Sequence, residues 1–148
     1  MIIHMKKFFL ILASAILGIN AYAFEFDGIN LNDDAVKVTR AISSKNYVHD
    51  PAKNCLKGNC HGTEIYLSFN FDDVSTKGKV GQLIVEVPMK NEDAIESCTG
   101  LLNVIYHQVE ANANGVVYSV GTDGTTMMLQ KAQGGVKLVY STPYYKAK

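Results

Sequence analysis

The stretch Thr-Glu-Ile-Tyr-Leu-Ser-Phe-Asn-Phe, residues 63–71, alternates cleanly between apolar and polar side chains. Successive side chains of a β-strand point to opposite faces, so this pattern predicts a strand with one buried face. Residues 80–87 alternate in the same way, with Gln82 and Glu86 on the outward side. Residues 72–79 between them are polar and contain a glycine, which is typical of a turn. We therefore expect these two strands to pair with each other.

One helix is predicted before this strand pair in the sequence, and a second helix is predicted after it. Asn32 is suited to cap the first helix, whose apolar residues recur at helical spacing up to about Ser44. Asn91 is suited to cap the second, which is predicted over Glu92–Glu110 from a broad apolar stripe. Gly100 lies inside this second helix, where glycine costs about 1 kcal/mol relative to alanine. We interpret it as a site of close approach to the sheet or to the first helix.

The last third of the chain is a predicted meander. Strand-like runs at residues 116–120, 125–131 and 136–140 are separated by Asp123-Gly124 and Gly134-Gly135, which are strong hairpin signals. The sequence shows no convincing internal repeat and no interdomain linker. It therefore predicts an α+β fold with two layers, in which two helices pack on an antiparallel sheet in the order α-β-β-α-β-β-β.

The first 23 residues have the pattern of a cleaved secretory signal peptide. Two lysines precede an apolar run at residues 8–19, and Ala21-Tyr22-Ala23 follows it. This run is too short to span a bilayer, which takes about 20 apolar residues. We predict cleavage before Phe24 and a single domain at residues 24–148, with no membrane span. No cysteine near the cleavage point could accept a lipid, so a periplasmic or secreted bacterial protein is expected.

Removal of this leader changes the charge balance of the protein. The whole chain has 14 basic and 14 acidic side chains, whereas residues 24–148 have 12 basic and 14 acidic ones. A mildly acidic domain lacks the basic excess of a nucleic-acid-binding protein. The apolar content of 47% excludes a disordered tail, because such a chain can bury enough apolar surface to fold.

Three cysteines in an exported protein raise the question of disulfides. Cys55 and Cys60 enclose four residues that include the turn-forming Gly58-Asn59, and we predict a bridge between them that shapes a loop at residues 54–62. Cys98 lies on the apolar stripe of the second helix and is predicted to pack as a buried thiol. Pairing of Cys98 with either of the other cysteines remains open. The spacing is looser than that of structural zinc sites, so we predict neither a metal site nor a cofactor.

Catalytic motifs are missing from the sequence. It contains no G-x-S-x-G elbow, no H-E-x-x-H motif, no phosphate-binding glycine loop and no dinucleotide fingerprint. The acidic pairs Asp33-Asp34 and Asp72-Asp73 are explained by helix capping and by turn formation. We therefore predict no catalytic residue, and a hydrolase without a recognisable motif is the third of three hypotheses.

The leading hypothesis is a small exported protein-binding module, similar in role to an inhibitor or an immunity protein. Its partner would be another envelope or secreted protein, and its own oligomeric state stays open. The loop at residues 54–62 would present Lys57 and His61. Tyr144 and Tyr145 are further candidate contact residues, because tyrosine is enriched in interface hot spots.

The alternative hypothesis is an envelope-assembly or small-ligand-binding factor that uses the open face of the sheet. Tyr66, Ile84 and Tyr118 are the side chains expected to line that face.

Overall fold

In a computed structural model, two antiparallel sheets account for most of the described residues, which are 8–12, 15–17, 24–72, 77–89, 94–120 and 124–145. The small sheet has the order β1-β2-β3 and consists of β1 (Ala15–Leu17), β2 (Phe24–Phe26) and β3 (Ile29–Asn30). Two longer helices are α1 (Ala35–Ser44) and α2 (Ala94–Ile105), and residues 8–12 are also helical.

The large sheet contains eight strands. They are β4 (Val48–Asp50), β5 (Cys55–Cys60), β6 (Thr63–Phe71), β7 (Val80–Pro88), β8 (His107–Asn112), β9 (Gly115–Ser119), β10 (Thr126–Ala132) and β11 (Gly135–Ser141). Their order across the sheet is β4-β5-β6-β7-β11-β10-β9-β8, and every neighbouring pair is antiparallel.

The order of elements repeats within the chain. Helix α1 is followed by the meander β4 to β7, and helix α2 is followed by the meander β8 to β11. The last strands of the two meanders, β7 and β11, pair with each other in the middle of the large sheet. The two halves are therefore related by an approximate two-fold arrangement of their connections. This repeat lies in the topology, which explains why the amino-acid sequence does not reveal it.

One face of the large sheet forms the core. Its fully buried side chains come from alternating strand positions and include Ile65, Leu67, Leu83, Val85, Met127, Leu129, Val136, Leu138 and Tyr140. Phe26 of the small sheet packs against Tyr140, with ring centroids 6.1 Å apart. Helix α2 contacts β10 and β11, and α1 contacts β3. Each such buried side chain contributes about 1.5–3 kcal/mol of hydrophobic free energy.

The predicted two-layer α+β arrangement in the order α-β-β-α-β-β-β is wrong, because the structure is mostly β. No strand is predicted between the first helix and residue 63, but this stretch contains β4 and β5, which extend the first hairpin into a four-stranded meander. The second helix ends at Ile105, and β8 begins at His107. The apolar stripe that predicts the longer helix includes Ile105 and Val109, but these side chains are 41% and 53% exposed. Without burial to hold a helix there, pairing with β9 satisfies the backbone instead.

Helix α1 is close to its prediction. The cap is Asp34, two residues after the predicted Asn32, and its carboxylate Oδ1 accepts a hydrogen bond of 3.0 Å from the backbone N–H of Lys37. The helix ends at Ser44, as expected. The cap predicted for the second helix, Asn91, lies outside the described residues.

Gly58, which the sequence places in a turn with Asn59, lies inside strand β5. It lies on the core face of β5, opposite Ile65 of β6. A Cβ atom at this position would lie 2.1 Å from Cδ1 of Tyr47, so the glycine makes room for an aromatic ring. The Tyr47 hydroxyl donates a hydrogen bond of 2.8 Å to Oδ2 of Asp27, which connects the β2–β3 turn to this part of the core.

The predicted bridge between Cys55 and Cys60 is incompatible with β5, and the structure contains the three cysteines as thiols. The two residues occupy opposite ends of a six-residue strand and point to opposite faces. Five residues of extended chain span about 16 Å. A disulfide needs Cα atoms within about 7 Å of each other.

Cys98 is fully buried in α2, as predicted, with its Sγ 3.9 Å from Sδ of Met89. Burial raises the pKa of the Cys98 thiol to about 12.

The outer edges of the large sheet are β4 and β8. Strand β4 has three residues. All residues of β8 are exposed, and its register with β9 shifts between Gln108 and Glu110.

Part of the predicted leader is folded against the core. Phe8, Ile11 and Leu12 are 0–3% exposed and belong to the same apolar cluster as the large sheet. Residues 18–23, which hold the predicted cleavage motif, lie outside the described residues. Among the described residues, no helix has the length and apolar character needed to cross a membrane. Cleavage before Phe24 stays a prediction.

Substitution of two glycines by alanine should have opposite effects on stability. Gly58→Ala forces the Tyr47 ring to move and should lower the free energy of unfolding by about 1–3 kcal/mol. Gly100 is exposed in α2 with no atom within 4 Å of an added Cβ, so the predicted close approach is wrong there. Gly100→Ala should raise the free energy of unfolding by about 0.5–1 kcal/mol. Urea denaturation of both variants measures this, and a stabilising Gly58→Ala would contradict the packing.

The thiols should differ in their accessibility. In the native protein, a maleimide reagent should label Cys55 first, because Cys60 and Cys98 are 1% and 0% exposed. Labelling of Cys55 should accelerate as the pH rises, since its pKa is raised by burial and by the charges of Asp50 and Glu86. Mass spectrometry of native and urea-unfolded samples gives the order of labelling. Recovery of a peptide with Cys55 cross-linked to Cys60 from native protein would contradict the strand.

Candidate functional site

A row of charged and aromatic side chains crosses the open face of the large sheet, which is the face opposite the core. Lys57, Tyr66, Glu86 and Lys137 come from β5, β6, β7 and β11 and are direct cross-strand neighbours. Because adjacent strands lie about 4.8 Å apart, this charged row is about 14 Å long. Its register depends on three strand pairings, so its members are held on a rigid support.

Lys53 reaches over the charged row from the turn between β4 and β5. Its Nζ lies 2.9 Å from Oε1 of Glu86 and 4.4 Å from the centroid of the Tyr66 ring. The turn is shaped by the carboxylate of Asp50, which accepts a hydrogen bond of 3.0 Å from the backbone N–H of Ala52. The hydrogen bond to Glu86 raises the pKa of Lys53, so this side chain remains an ammonium group.

Glu64 orients the other end of the row. Its Oε1 accepts a hydrogen bond of 3.0 Å from the Tyr66 hydroxyl, and its Oε2 lies 3.6 Å from Nζ of Lys57. The hydrogen bond to Glu64 raises the pKa of Tyr66, so the phenol stays neutral and its proton is directed at this carboxylate. The Tyr66 ring is therefore fixed at its hydroxyl by Glu64 and covered on its face by Lys53.

A shallow pocket of about 310 Å³ lies beside this arrangement. Tyr66, Glu86 and Lys137 line it together with Lys53, Cys55, Ser68 and Ile84. The carboxylate of Glu86 is paired with Lys53. Lys137 forms no ion pair within the part of the chain that the structure describes, although it stands next to Glu86 in the sheet. The pocket consequently has an excess of one positive charge, which favours a ligand group with negative charge.

The chemistry of the pocket suits binding better than catalysis by a nucleophile. Cys55 contributes a thiol, but burial and the carboxylates of Asp50 and Glu86 raise its pKa. A reactive cysteine needs the opposite shift, because the thiolate is the nucleophile. Among the described residues, no group of three or more His, Cys, Asp or Glu side chains is placed to hold a metal ion.

The predicted partner-binding residues are spread over the molecule. Lys57 belongs to the charged row. His61 is exposed in the β5–β6 turn, where it has a φ of 50°. Tyr144 and Tyr145 are 37% and 43% exposed and follow β11 beyond the opposite end of the sheet, where Tyr145 lies against Gly81. The structure therefore places one of these four residues, Lys57, in the charged row and leaves the other three elsewhere, and none of the four lines the pocket described above.

The residues expected on the open face are partly confirmed. Tyr66 and Ile84 line the pocket, and Glu86 points outward as predicted. The placement of Tyr118 is wrong, because it is 0% exposed on the core face and its hydroxyl lies 3.0 Å from Oδ1 of Asn103. Tyr118 and Val116 are two residues apart on one strand and share a face, and Val116 packs against the core.

Sequence reasoning missed Lys53 and Lys137. The sequence pattern could have placed Lys137 on the open face, because it lies between the buried Val136 and Leu138 and must point to the opposite side of the sheet. No sequence pattern predicts the position of Lys53, since its contacts with Glu86 and Tyr66 depend on how the turn folds back over the sheet.

No protein-family model, curated protein or solved structure matches the chain. The geometry of the open face is therefore the basis for the functional proposal below.

Proposed function

We propose that this protein is an exported binding protein that contacts another envelope or secreted protein through the open face of the large sheet. The pocket beside the charged row would receive an acidic side chain of that partner. The observation that carries the proposal is the position of Lys137. Its positive charge has no ion-pair partner among the described residues, and it lines a pocket that also holds the oriented Tyr66.

The pocket is organised before any partner binds. Tyr66 is held by Glu64 and Lys53, and Lys53 is held in turn by Glu86. Side chains that are already fixed lose less conformational entropy when a complex forms. Tyrosine is also among the residue types that dominate interface hot spots. Tyr66 is therefore the expected anchor, and Lys137 the expected source of charge complementarity.

A protein partner fits this surface better than a drug-sized ligand. Small-molecule sites are mostly apolar and enclose about 70–90% of the ligand surface. Here Ile84 is the single aliphatic side chain in the lining, and the pocket is shallow. The sheet around it has eight strands and is about 34 Å wide, which is enough for an interface of about 800 Å² on each partner.

The proposed contact surface is thus the open face of the sheet and not the loop expected from the sequence at residues 54–62. That segment is strand β5, and Lys57 is its contribution to the charged row. Export remains part of the proposal and is supported by the leader pattern at residues 1–23.

A small anionic ligand is the second candidate, and the positive excess in the pocket is the observation that favours it. A hydrolase with a cysteine nucleophile is not favoured, because burial and the charges of Asp50 and Glu86 raise the pKa of the Cys55 thiol.

Charge reversal in the pocket should weaken partner binding strongly. Tagged protein is cross-linked in envelope extract, and the captured partner is identified by mass spectrometry. Lys137→Glu should then weaken binding to the purified partner by about 100-fold, because it replaces a complementary charge by a repulsive one. Lys131→Glu on the neighbouring strand is the matched control, since Lys131 is exposed and does not line the pocket.

Two further measurements test the binding of a protein partner at the pocket. Binding to a protein partner should weaken as ionic strength rises, because exposed charges are screened. Tyr66→Ala should weaken it by about tenfold or more. Equal loss for Lys131→Glu and Lys137→Glu would contradict the pocket as the contact point. A thermal shift with small carboxylates that Lys137→Ala removes, without any captured protein, would favour the second candidate.

A further inference from the structure

Residues 8–12 and 15–17 of the predicted leader take part in the folded structure in two ways. The helical part buries Phe8, Ile11 and Leu12 in the main apolar cluster, while Phe9 between them is 50% exposed. Buried residues at spacings of three and four indicate one face of a helix docked into a groove. This part of the leader therefore occupies a specific seat in the core.

The extended part of the same segment adds a strand to the small sheet. Strand β1 pairs with β2 in antiparallel register, with Ala15 opposite Phe26 and Leu17 opposite Phe24. Strand β2 is itself anchored, because Phe26 packs on Tyr140 of the large sheet. The outer side of β2 thus presents backbone groups that β1 satisfies.

Cleavage before Phe24 would remove the helical part and β1 together. It would leave an apolar groove where three buried side chains had been, next to a strand edge with unpaired N–H and C=O groups. We call these two features the leader seat. Each of the three side chains buries enough apolar surface to contribute about 1.5–3 kcal/mol, so an empty leader seat is a costly state for the mature chain.

We propose that the leader seat of the mature protein binds a polypeptide segment of a partner, made of one apolar helical turn that continues into a short extended strand. The helical turn would carry an aromatic residue followed by aliphatic residues three and four positions later, as Phe8, Ile11 and Leu12 do. This inference rests on the proposed export and cleavage of the chain. It does not depend on the open face or on Lys137.

The strand edge explains why the occupant is a peptide and not an acyl chain. A hydrocarbon chain would fill the apolar groove but would leave the backbone groups of β2 without partners. A peptide satisfies both features, because main-chain hydrogen bonds give strand addition its affinity and side-chain pockets give it specificity.

The test uses the mature protein purified from the periplasm and a fluorescein-labelled synthetic peptide of residues 6–19. N-terminal sequencing should first show that the chain begins at Phe24. Fluorescence anisotropy should then show saturable binding of the peptide. A peptide with Phe8→Ala and Leu12→Ala should bind about 100-fold more weakly, because both substitutions remove buried apolar surface. The matched control, Phe9→Ala, should weaken binding far less, because Phe9 is 50% exposed and buries much less apolar surface than Phe8 or Leu12.

Two protein variants complete the design. Uncleaved protein with Ala23→Asp, which blocks the predicted cleavage motif, should not bind the peptide, because its own leader fills the seat. Mature protein with Lys137→Ala should bind the peptide normally, so that a failure of the leader seat is distinguishable from a failure of the open face. If the mature chain is unfolded alone, near-ultraviolet circular dichroism should show that the peptide restores its tertiary structure.

Several results would overturn the inference. These are a chain that retains residues before Phe24, equal binding of the doubly substituted peptide, and a mature chain that stays unfolded with or without peptide. Displacement of the peptide by palmitate would assign the seat to an acyl chain instead. A mature dimer that the peptide dissociates would assign it to a second copy of the protein.

Discussion

The pairing of β7 with β11 is the constraint on which the rest of the structure depends. These two strands pair continuously from Pro88 opposite Gly135 to Gln82 opposite Ser141, and they join the two four-stranded meanders into one sheet. A shift of one residue in this register would exchange the two faces of a meander relative to the other. Tyr140 would then leave the core, and Lys137 would enter it. The pairing therefore determines both where the apolar cluster lies and which side chains reach the open face.

The candidate site spans this junction. Lys53, Tyr66 and Glu86 come from the first meander and its turn, whereas Lys137 comes from the second. The excess positive charge of the pocket thus exists because the two halves meet in this register. Both halves support a site at this junction, and its geometry depends on the pairing of β7 with β11.

The sequence predicts the local features of this fold better than its assembly. The hairpin of β6 and β7 is confirmed because each strand has one apolar face, and the final meander is confirmed within one or two residues. Strand β5 was missed because Gly58 and Asn59 read as a turn, whereas Gly58 in fact accommodates the Tyr47 ring from a distant part of the chain. The end of α2 was missed because Val109 fits helical spacing but has no surface to bury against.

In the site, Lys53 could not be predicted, since its partners are 13 and 33 residues away in sequence. Both errors and the omission concern tertiary contacts, which local patterns do not contain.

The two outer strands of the large sheet have a consequence for how the protein behaves when it is crowded. Sheets stack into fibrils through long, regular free edges that can accept another strand. Strand β4 offers three residues, and the register of β8 is interrupted at Val109. A bulge increases local twist and breaks the regular spacing of donors and acceptors. Growth of the sheet by addition of further copies is therefore disfavoured at both ends, although both edges face solvent.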